Sequence, residues 1–302
     1  FAPCHRADPV RAMVPTSHGE ATVMKSVRRR RRPDGEVAAD APGYRRFMPA
    51  LMPTRNGWAV FFEQRLRVDG AERFVEATRA AHPDLHPTVF DVLLWALAHT
   101  IGRHPRINRF VAGGRLYQRD GVWIAFTAKT ELSDEGTLVE VKHRFEPDQS
   151  FPDLVRDLQR SIGEARAGTT GPVDKELELF LHLPPVLRRG VVRVASGANA
   201  VNLLPRAFIE GDPFFASAFV TNLGSVGLDA AFHHLYEYGT IPIFCTLGLI
   251  HDDVVAEDGR VTVARVATVR FTYDERMEDG MYAGHALEDF RRIFEHPEAG
   301  PA

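Results

Sequence analysis

The sequence predicts an α/β protein built as a mixed-sheet sandwich with peripheral helices. From residue 44 onward, runs that alternate like strands and runs with helical spacing follow one another irregularly, without the regular βαβα rhythm of a doubly wound parallel sheet. No glycine fingerprint of a dinucleotide-binding turn and no P-loop occurs. At 302 residues, with 44% hydrophobic and 25% charged side chains, the chain has ample length for a substantial core.

The elements follow in order. Residues 58–68 mix apolar and charged side chains as a half-buried strand does, and 70–82 reads as a short helix. Residues 88–102 carry an apolar stripe at helical spacing, with Thr88 placed to cap the start. Gly113-Gly114 marks a hairpin turn. Residues 121–129 and 137–145 read as two strands flanking a polar turn. Residues 151–166 are a helix with Ser150 as its cap. Strands follow at 215–222, 241–250 and 261–273, with His251-Asp252-Asp253 read as a turn. A helix over 282–295 closes the pattern.

Residues 1–43 are expected to form an extended basic N-terminal arm. They have little periodicity and contain Arg28–Arg32, a like-charge block that most simply lies in solvent; docking to an acidic surface, RNA or a neighbouring subunit is the other reading. The remainder, 44–302, is expected to be one domain with an inserted segment at about 170–212, which mixes apolar bulk with arginines. That insertion is read as a packing element or intersubunit contact, with a lid or an interfacial membrane helix as alternatives. The formal net charge of -3 gives no global reason for nucleic-acid binding. Cys4 and Cys245 suggest no disulfide framework, so an intracellular, cytoplasmic setting is the simpler expectation. No apolar run is long enough to span a bilayer as a helix.

The stretch after the last strand, Asp274-Glu275-Arg276-Met277-Glu278-Asp279-Gly280, carries the most chemistry. It closes a series: Thr88, Asp91, Leu93, Leu94 and Ala96; then His104-Pro105 with Asn108; then the strand pair 121–145; then Phe219-Val220-Thr221-Asn222-Leu223-Gly224 with Gly227; then strand 241–250. In this order the pieces resemble the catalytic domain of the 2-oxo acid dehydrogenase dihydrolipoyl acyltransferases, whose signature reads D-H-R-x-x-D-G where this chain has Asp274 to Gly280. The resemblance runs from about residue 44 to about residue 297. It implies the fold shared with chloramphenicol acetyltransferase and homotrimers with sites between subunits, with larger cages built from trimers as a further form of assembly. It also implies an acyl carrier: coenzyme A, or a lipoyl or phosphopantetheine arm on another protein, since the N-terminal arm holds no lipoyl-lysine motif.

By the same resemblance Glu275 stands where the family keeps its catalytic histidine. That base removes a thiol proton, a task suited to a pKa near neutrality. An ordinary thiol titrates near 8.5 and a free glutamate near 4.3, so an unperturbed carboxylate is a poor match; burial narrows the gap. Losing a positioned base typically costs about 10²–10⁴-fold in rate. Thr221 falls at the oxyanion-donating hydroxyl, with Asn222 and Gly224 in the same segment, and Asp279 and Gly280 at the structural half of the signature. Either Arg55 or Arg276 is a candidate partner of Asp279, and the sequence does not choose between them.

Other candidates read more weakly. His234, beside His233, is the histidine best placed in sequence to assist; His143 and His285 read as ordinary histidines. No spacing reads as a metal site, and Cys245 reads as a buried apolar residue. Three functions are therefore carried: an acyltransferase of altered base chemistry moving an acyl group between a thioester and a thiol; an inactive scaffold of the same architecture; and a membrane-surface or lipid-linked protein, with membrane contact not favoured.

Overall fold

The structure is a computed structural model that describes residues 31–129, 138–146, 148–166, 182–257 and 259–300. Two sheets organise it. The smaller comprises β1 (Arg31–Arg32), β2 (Gly35–Val37), β4 (Arg109–Ala112) and β5 (Arg115–Arg119), in the order β1-β2-β5-β4. The larger comprises β3 (Ala59–Arg67), β6 (Val122–Lys129), β7 (Leu138–Phe145), β8 (Ala218–Asn222), β9 (Ile243–Leu247), β10 (His251–Glu257) and β11 (Arg260–Asp274). Its order is β10-β11-β9-β8-β6-β7, with β3 on the other side of β11. β8 runs parallel to β6 and β9, and the other pairs are antiparallel. The sheet is therefore mixed, as the sequence predicts.

The long helices cover one face of that sheet. Residues Val269, Phe271 and Tyr273 of β11, with Ile243, Cys245 and Leu247 of β9, point into the main core. There they meet α2 (Asp69–Ala81), α3 (Val89–Arg103), α4 (Phe151–Arg166) and α7 (Gly280–Glu295). Their alternation with Thr246, Arg270 and Thr272 is the period-2 pattern of a sheet whose two faces have different neighbours. Phe74, Trp95 and Phe151 bring α2, α3 and α4 together through ring contacts. Thr88 caps α3 as predicted, and the Asp91 carboxylate returns a bond to the Thr88 N–H at 2.7 Å. This reciprocal box is worth about 1 kcal/mol. Gly113 and Gly114, at φ +55° and +70°, make the two-residue hairpin between β4 and β5 that was read from the sequence.

Two expectations change. His251-Asp252-Asp253 is the start of β10: Asp252 lies opposite Arg265, Asp253 opposite Ala264, and Arg65 reaches Asp253 at 2.9 Å. The β-branched run that follows, Val254-Val255 facing Val263 and Thr262, extends the strand back through the polar residues. Arg32 does not lie in solvent. It is 3% exposed, meets Asp34 at 2.8 Å and donates to the Asn199 carbonyl at 2.8 Å, so an arginine of a like-charge block is buried because it finds its own partners. Arg28 to Arg30 lie outside the described residues. A short helix, α1 (Gly43–Leu51), follows the residues expected as the arm. Of the insertion, residues 170–181 lie outside the described residues, while the rest forms α5 (Pro185–Ala200) and α6 (Arg206–Gly211). No residue of α5 is buried.

Candidate functional site

The chain between β11 and α7 turns sharply, and its charged residues divide into two sets. Asp274 is 1% exposed and accepts from Arg276 Nε at 2.8 Å and Nη2 at 2.7 Å, a two-pronged pair within one turn. Arg55 Nε approaches the same carboxylate at 3.7 Å. Arg55 also donates to the carbonyls of Tyr236 and Gly239. Burial, opposed by Asp274, lowers the pKa of Arg55 from its ordinary value. Glu278 is likewise buried and faces Arg109 at 3.2 Å, Arg45 at 3.7 Å and Arg106 at 3.8 Å. Met277 between them is fully buried in the core. These contacts fix the turn from inside.

Glu275 and Asp279 face outward. The main chain of Glu275 is held on both sides: its N–H donates to Trp58 O at 3.0 Å, and its carbonyl accepts from Arg45 Nη1 at 2.7 Å. Its half-buried carboxylate makes no hydrogen bond or ion pair among the described residues. A fixed backbone carrying an unengaged carboxylate suits a proton acceptor or an anchor for a cation. Asp279 is exposed and caps α7, accepting from Tyr282 N at 3.0 Å; Gly280 begins the helix. Its nearest cation is Arg45, at 4.0 Å. Arg55 and Arg276, the candidate partners for it, are bound to Asp274 instead, because both guanidinium groups lie on the buried side of the turn.

Thr221 lies near the end of β8, with Thr127 Oγ1 3.5 Å from its own Oγ1. It stands opposite Thr246 of β9, which stands opposite Arg270 of β11. Glu275 is five residues beyond Arg270, about 17 Å further along the strand direction at roughly 3.4 Å per residue. One chain therefore does not bring Thr221 and Glu275 together. Asn222 Oδ1 accepts from Ser225 N at 3.1 Å and shapes the turn after β8. Gly224 is required there, since a Cβ would lie 2.4 Å from Gly248 O. This turn borders an open cleft of about 710 Å³ whose lining includes Arg79, Thr88, Phe90, Asn222, Ser225 and Arg265.

His234 is exposed, and its Nδ1 is 3.3 Å from Leu235 O, so that nitrogen donates. Beside it, His233 stacks on Phe244 with ring centroids 3.9 Å apart. Burial lowers the pKa of His233, resisted by its hydrogen bond to the His234 carbonyl and reinforced by the like charge of the His234 ring. Their loop is tied to the corner through Asn56, which donates to Leu235 O at 2.7 Å and accepts from Leu235 N at 2.9 Å. Phe244 stands opposite Thr272, three residues before Glu275. His285 is exposed, and the buried His143 Nε2 has no partner. Cys245 is a free thiol buried in the core, its pKa pushed up by burial alone. Among the described residues no group of three or more His, Cys, Asp or Glu is arranged to hold a metal, and no helix is long and apolar enough to cross a membrane.

The sequence reading missed Arg45, Arg109 and Glu278. A glutamate within a mostly buried turn demands cations. That was the available signal, although nothing in the motif says which arginines supply them.

Residues 215–300 match the family described as 2-oxoacid dehydrogenases acyltransferase (catalytic domain). Three solved structures are similar over nearly the whole chain. A probable dihydrolipoamide acetyltransferase from Listeria monocytogenes 4b F2365 is 13% identical, with a TM-score of 0.57 and 94% of each chain covered. The cubic core of a pyruvate dehydrogenase multienzyme complex is 15% identical, with a TM-score of 0.57 and 99% of each chain covered. The dihydrolipoamide acetyltransferase of Azotobacter vinelandii is 16% identical, with a TM-score of 0.58, covering 96% of this chain and 99% of that one. No curated protein sequence matches. The family resemblance is borne out over residues 215–300, and the expected mixed-sheet fold by its likeness to these three structures.

Proposed function

We propose that the protein transfers an acyl group between a thioester carrier and an acceptor thiol, with Glu275 in the role of general base. The observation that carries this reading is the Glu275 corner: a main chain fixed by Trp58 and Arg45, and a carboxylate without a partner among the described residues. In the proposed step the acceptor thiol gives its proton to Glu275 and its sulfur attacks the thioester carbonyl. The Thr221 hydroxyl donates to the oxyanion of the tetrahedral adduct. The adduct then collapses, the donor sulfur leaves, and it takes the proton back from Glu275.

The separation of Thr221 from Glu275 along the sheet supports a site completed by a second copy of the chain, in a homotrimer or a cage built from trimers. The similar cubic core and the exposed α5 are compatible with such an assembly. The cleft beside Asn222 and Ser225, with Arg79 and Arg265 on its lining, is roomy enough for the extended arm of coenzyme A or of a carrier protein. Asp279 and Gly280 shape the start of α7, and His234 lies in the loop joined to the corner through Asn56. A cytoplasmic, reducing setting suits the free thiol of Cys245.

The test is transfer from acyl-coenzyme A to dihydrolipoamide by the pure protein, followed as release of free coenzyme A. Transfer above the uncatalysed rate that depends on both substrates supports the proposal. A rate equal to background across short and branched acyl chains removes it and leaves the scaffold reading, which the Glu275 substitution itself favours.

A further inference from the structure

At the end of the sheet away from the Asn222 cleft, a second cavity of about 310 Å³ opens between the β1–β2 hairpin, β6, β7 and α6. Its walls include six cations: Arg31, Arg32, Arg119, Lys142, Arg144 and Arg206. Three carboxylates share that lining, and each is already engaged. Asp34 meets Arg32 at 2.8 Å and Arg119 at 3.7 Å, Asp120 meets Arg31 at 3.8 Å, and Glu210 meets Arg206 at 2.8 Å. Arg144 is paired beyond the lining with Glu146 at 3.3 Å, which leaves two positive charges in excess.

Two of the cations are buried against the cavity with donor capacity left over. Arg119 is 4% exposed and donates through Nη2 to the carbonyl and hydroxyl of Thr240 and through Nη1 to Phe215 O, yet its buried Nε–H has no partner among the described residues. Its pKa is lowered to about 10, by burial first and then, against the pull of Asp34, by Arg32 and Arg55. Lys142 Nζ donates to Ile209 O at 2.6 Å and Asp212 O at 3.1 Å, and lies 5.2 Å from the Trp123 ring centroid. Burial and the facing Arg119 lower its pKa to about 8, despite Asp212, Asp34 and Glu210 nearby. Two N–H donors satisfy both carbonyls, so the amine is fully bonded even when neutral; an ammonium has a third donor to give.

We propose that this cavity binds a phosphate or pyrophosphate group. A dianion matches the charge excess, guanidinium forks suit its oxygens, and the third Lys142 donor and the Arg119 Nε–H gain an acceptor. The volume accommodates one or two phosphates and excludes a folded partner. This inference is independent of the acyl-transfer reading, which concerns the Glu275 corner.

The experiment uses the full chain with lysine labelled with ¹³C at Cε, since the sequence has only four lysines to resolve: Lys25, Lys129, Lys142 and Lys175. The Lys142 signal is titrated with pH in the absence and presence of inorganic phosphate, pyrophosphate or ADP, and affinities are measured by calorimetry at low ionic strength. Saturable binding that moves the Lys142 midpoint upward by about one unit is expected. Lys142→Met, and separately the exposed Arg206→Glu, should each weaken binding about tenfold, about 1.4 kcal/mol. ADP binding no weaker than pyrophosphate would assign the site to a phosphorylated metabolite, and pyrophosphate alone to the inorganic anion; both support the proposal. An unmoved Lys142 midpoint at about 10 mM of every probe, or equal affinity in wild type and both variants, overturns it.

Discussion

Arg45 donates to the main-chain carbonyl of Glu275 at 2.7 Å while standing 3.7 Å from the buried Glu278 carboxylate. One guanidinium thus holds the outward-facing glutamate in place and helps neutralise the inward-facing one. Replacing it with alanine leaves Glu278 with Arg109 and Arg106 but frees the Glu275 carbonyl. Arg45→Ala should therefore destabilise the protein by about 2–4 kcal/mol, read as a lower midpoint in urea unfolding. A loss below about 0.5 kcal/mol would show that Arg45 does not brace the turn.

Asp279 plays a smaller structural part than the family signature implies. It is exposed, caps α7 through Tyr282 N, and lies at the edge of ion-pair range from Arg45. Asp279→Asn keeps the cap and should be nearly neutral in thermal unfolding, whereas Asp279→Ala should cost about 1 kcal/mol. Equal losses for both would mean that the charge, rather than the cap, matters.

Thr221 and Glu275 lie too far apart along the sheet to act on one substrate from the same chain. Copies carrying Thr221→Ala and copies carrying Glu275→Gln should each be poor at acyl transfer. Unfolding and refolding them together should restore part of the wild-type rate, because some interfaces then pair an intact Thr221 with an intact Glu275. Light scattering should give a mass that is a multiple of three chains. A monomer, or no recovery in the mixture, contradicts a shared site.

Lys142 gives a signature in pH. Its folded pKa, about 8, lies below the ordinary lysine value of 10.5, so between those values the unfolded chain binds more protons than the folded one. Stability attributable to this residue therefore rises with pH across that window, by up to about 3 kcal/mol in full. Lys142→Met should gain relative to wild type at pH 7 and lose that advantage by pH 10, measured by urea unfolding at each pH. A constant difference would place the Lys142 pKa near its ordinary value.

Much of the fold was legible because single segments carry its signals. β11 alternates core-facing Val269, Phe271 and Tyr273 with Arg270 and Thr272, and α3 announces itself by Thr88 and Asp91. β10 was hidden because its pairing with β11, rather than its own polar start, makes it a strand. The corner was legible in part: the motif located Glu275, Asp279 and Gly280. The division between buried Asp274 and Glu278 and exposed Asp279 depends on Arg55, Arg45 and Arg109, more than 160 residues away in sequence. Pairing at that range follows from packing, which spacing along the chain does not encode. The cavity around Lys142 was missed for the same reason, since its cations come from separated elements.

The most direct test of the acyl-transfer account is the pH–rate profile of transfer from acyl-coenzyme A to dihydrolipoamide for wild type, Glu275→Gln and Glu275→His. With Glu275 as general base, Glu275→Gln should fall by about 10²–10⁴-fold. Glu275→His should equal or exceed wild type, with the acidic limb of its profile moved toward the ordinary histidine pKa near 6.5. Equal rates for wild type and Glu275→Gln at every pH would contradict the account and remove Glu275 from the chemistry.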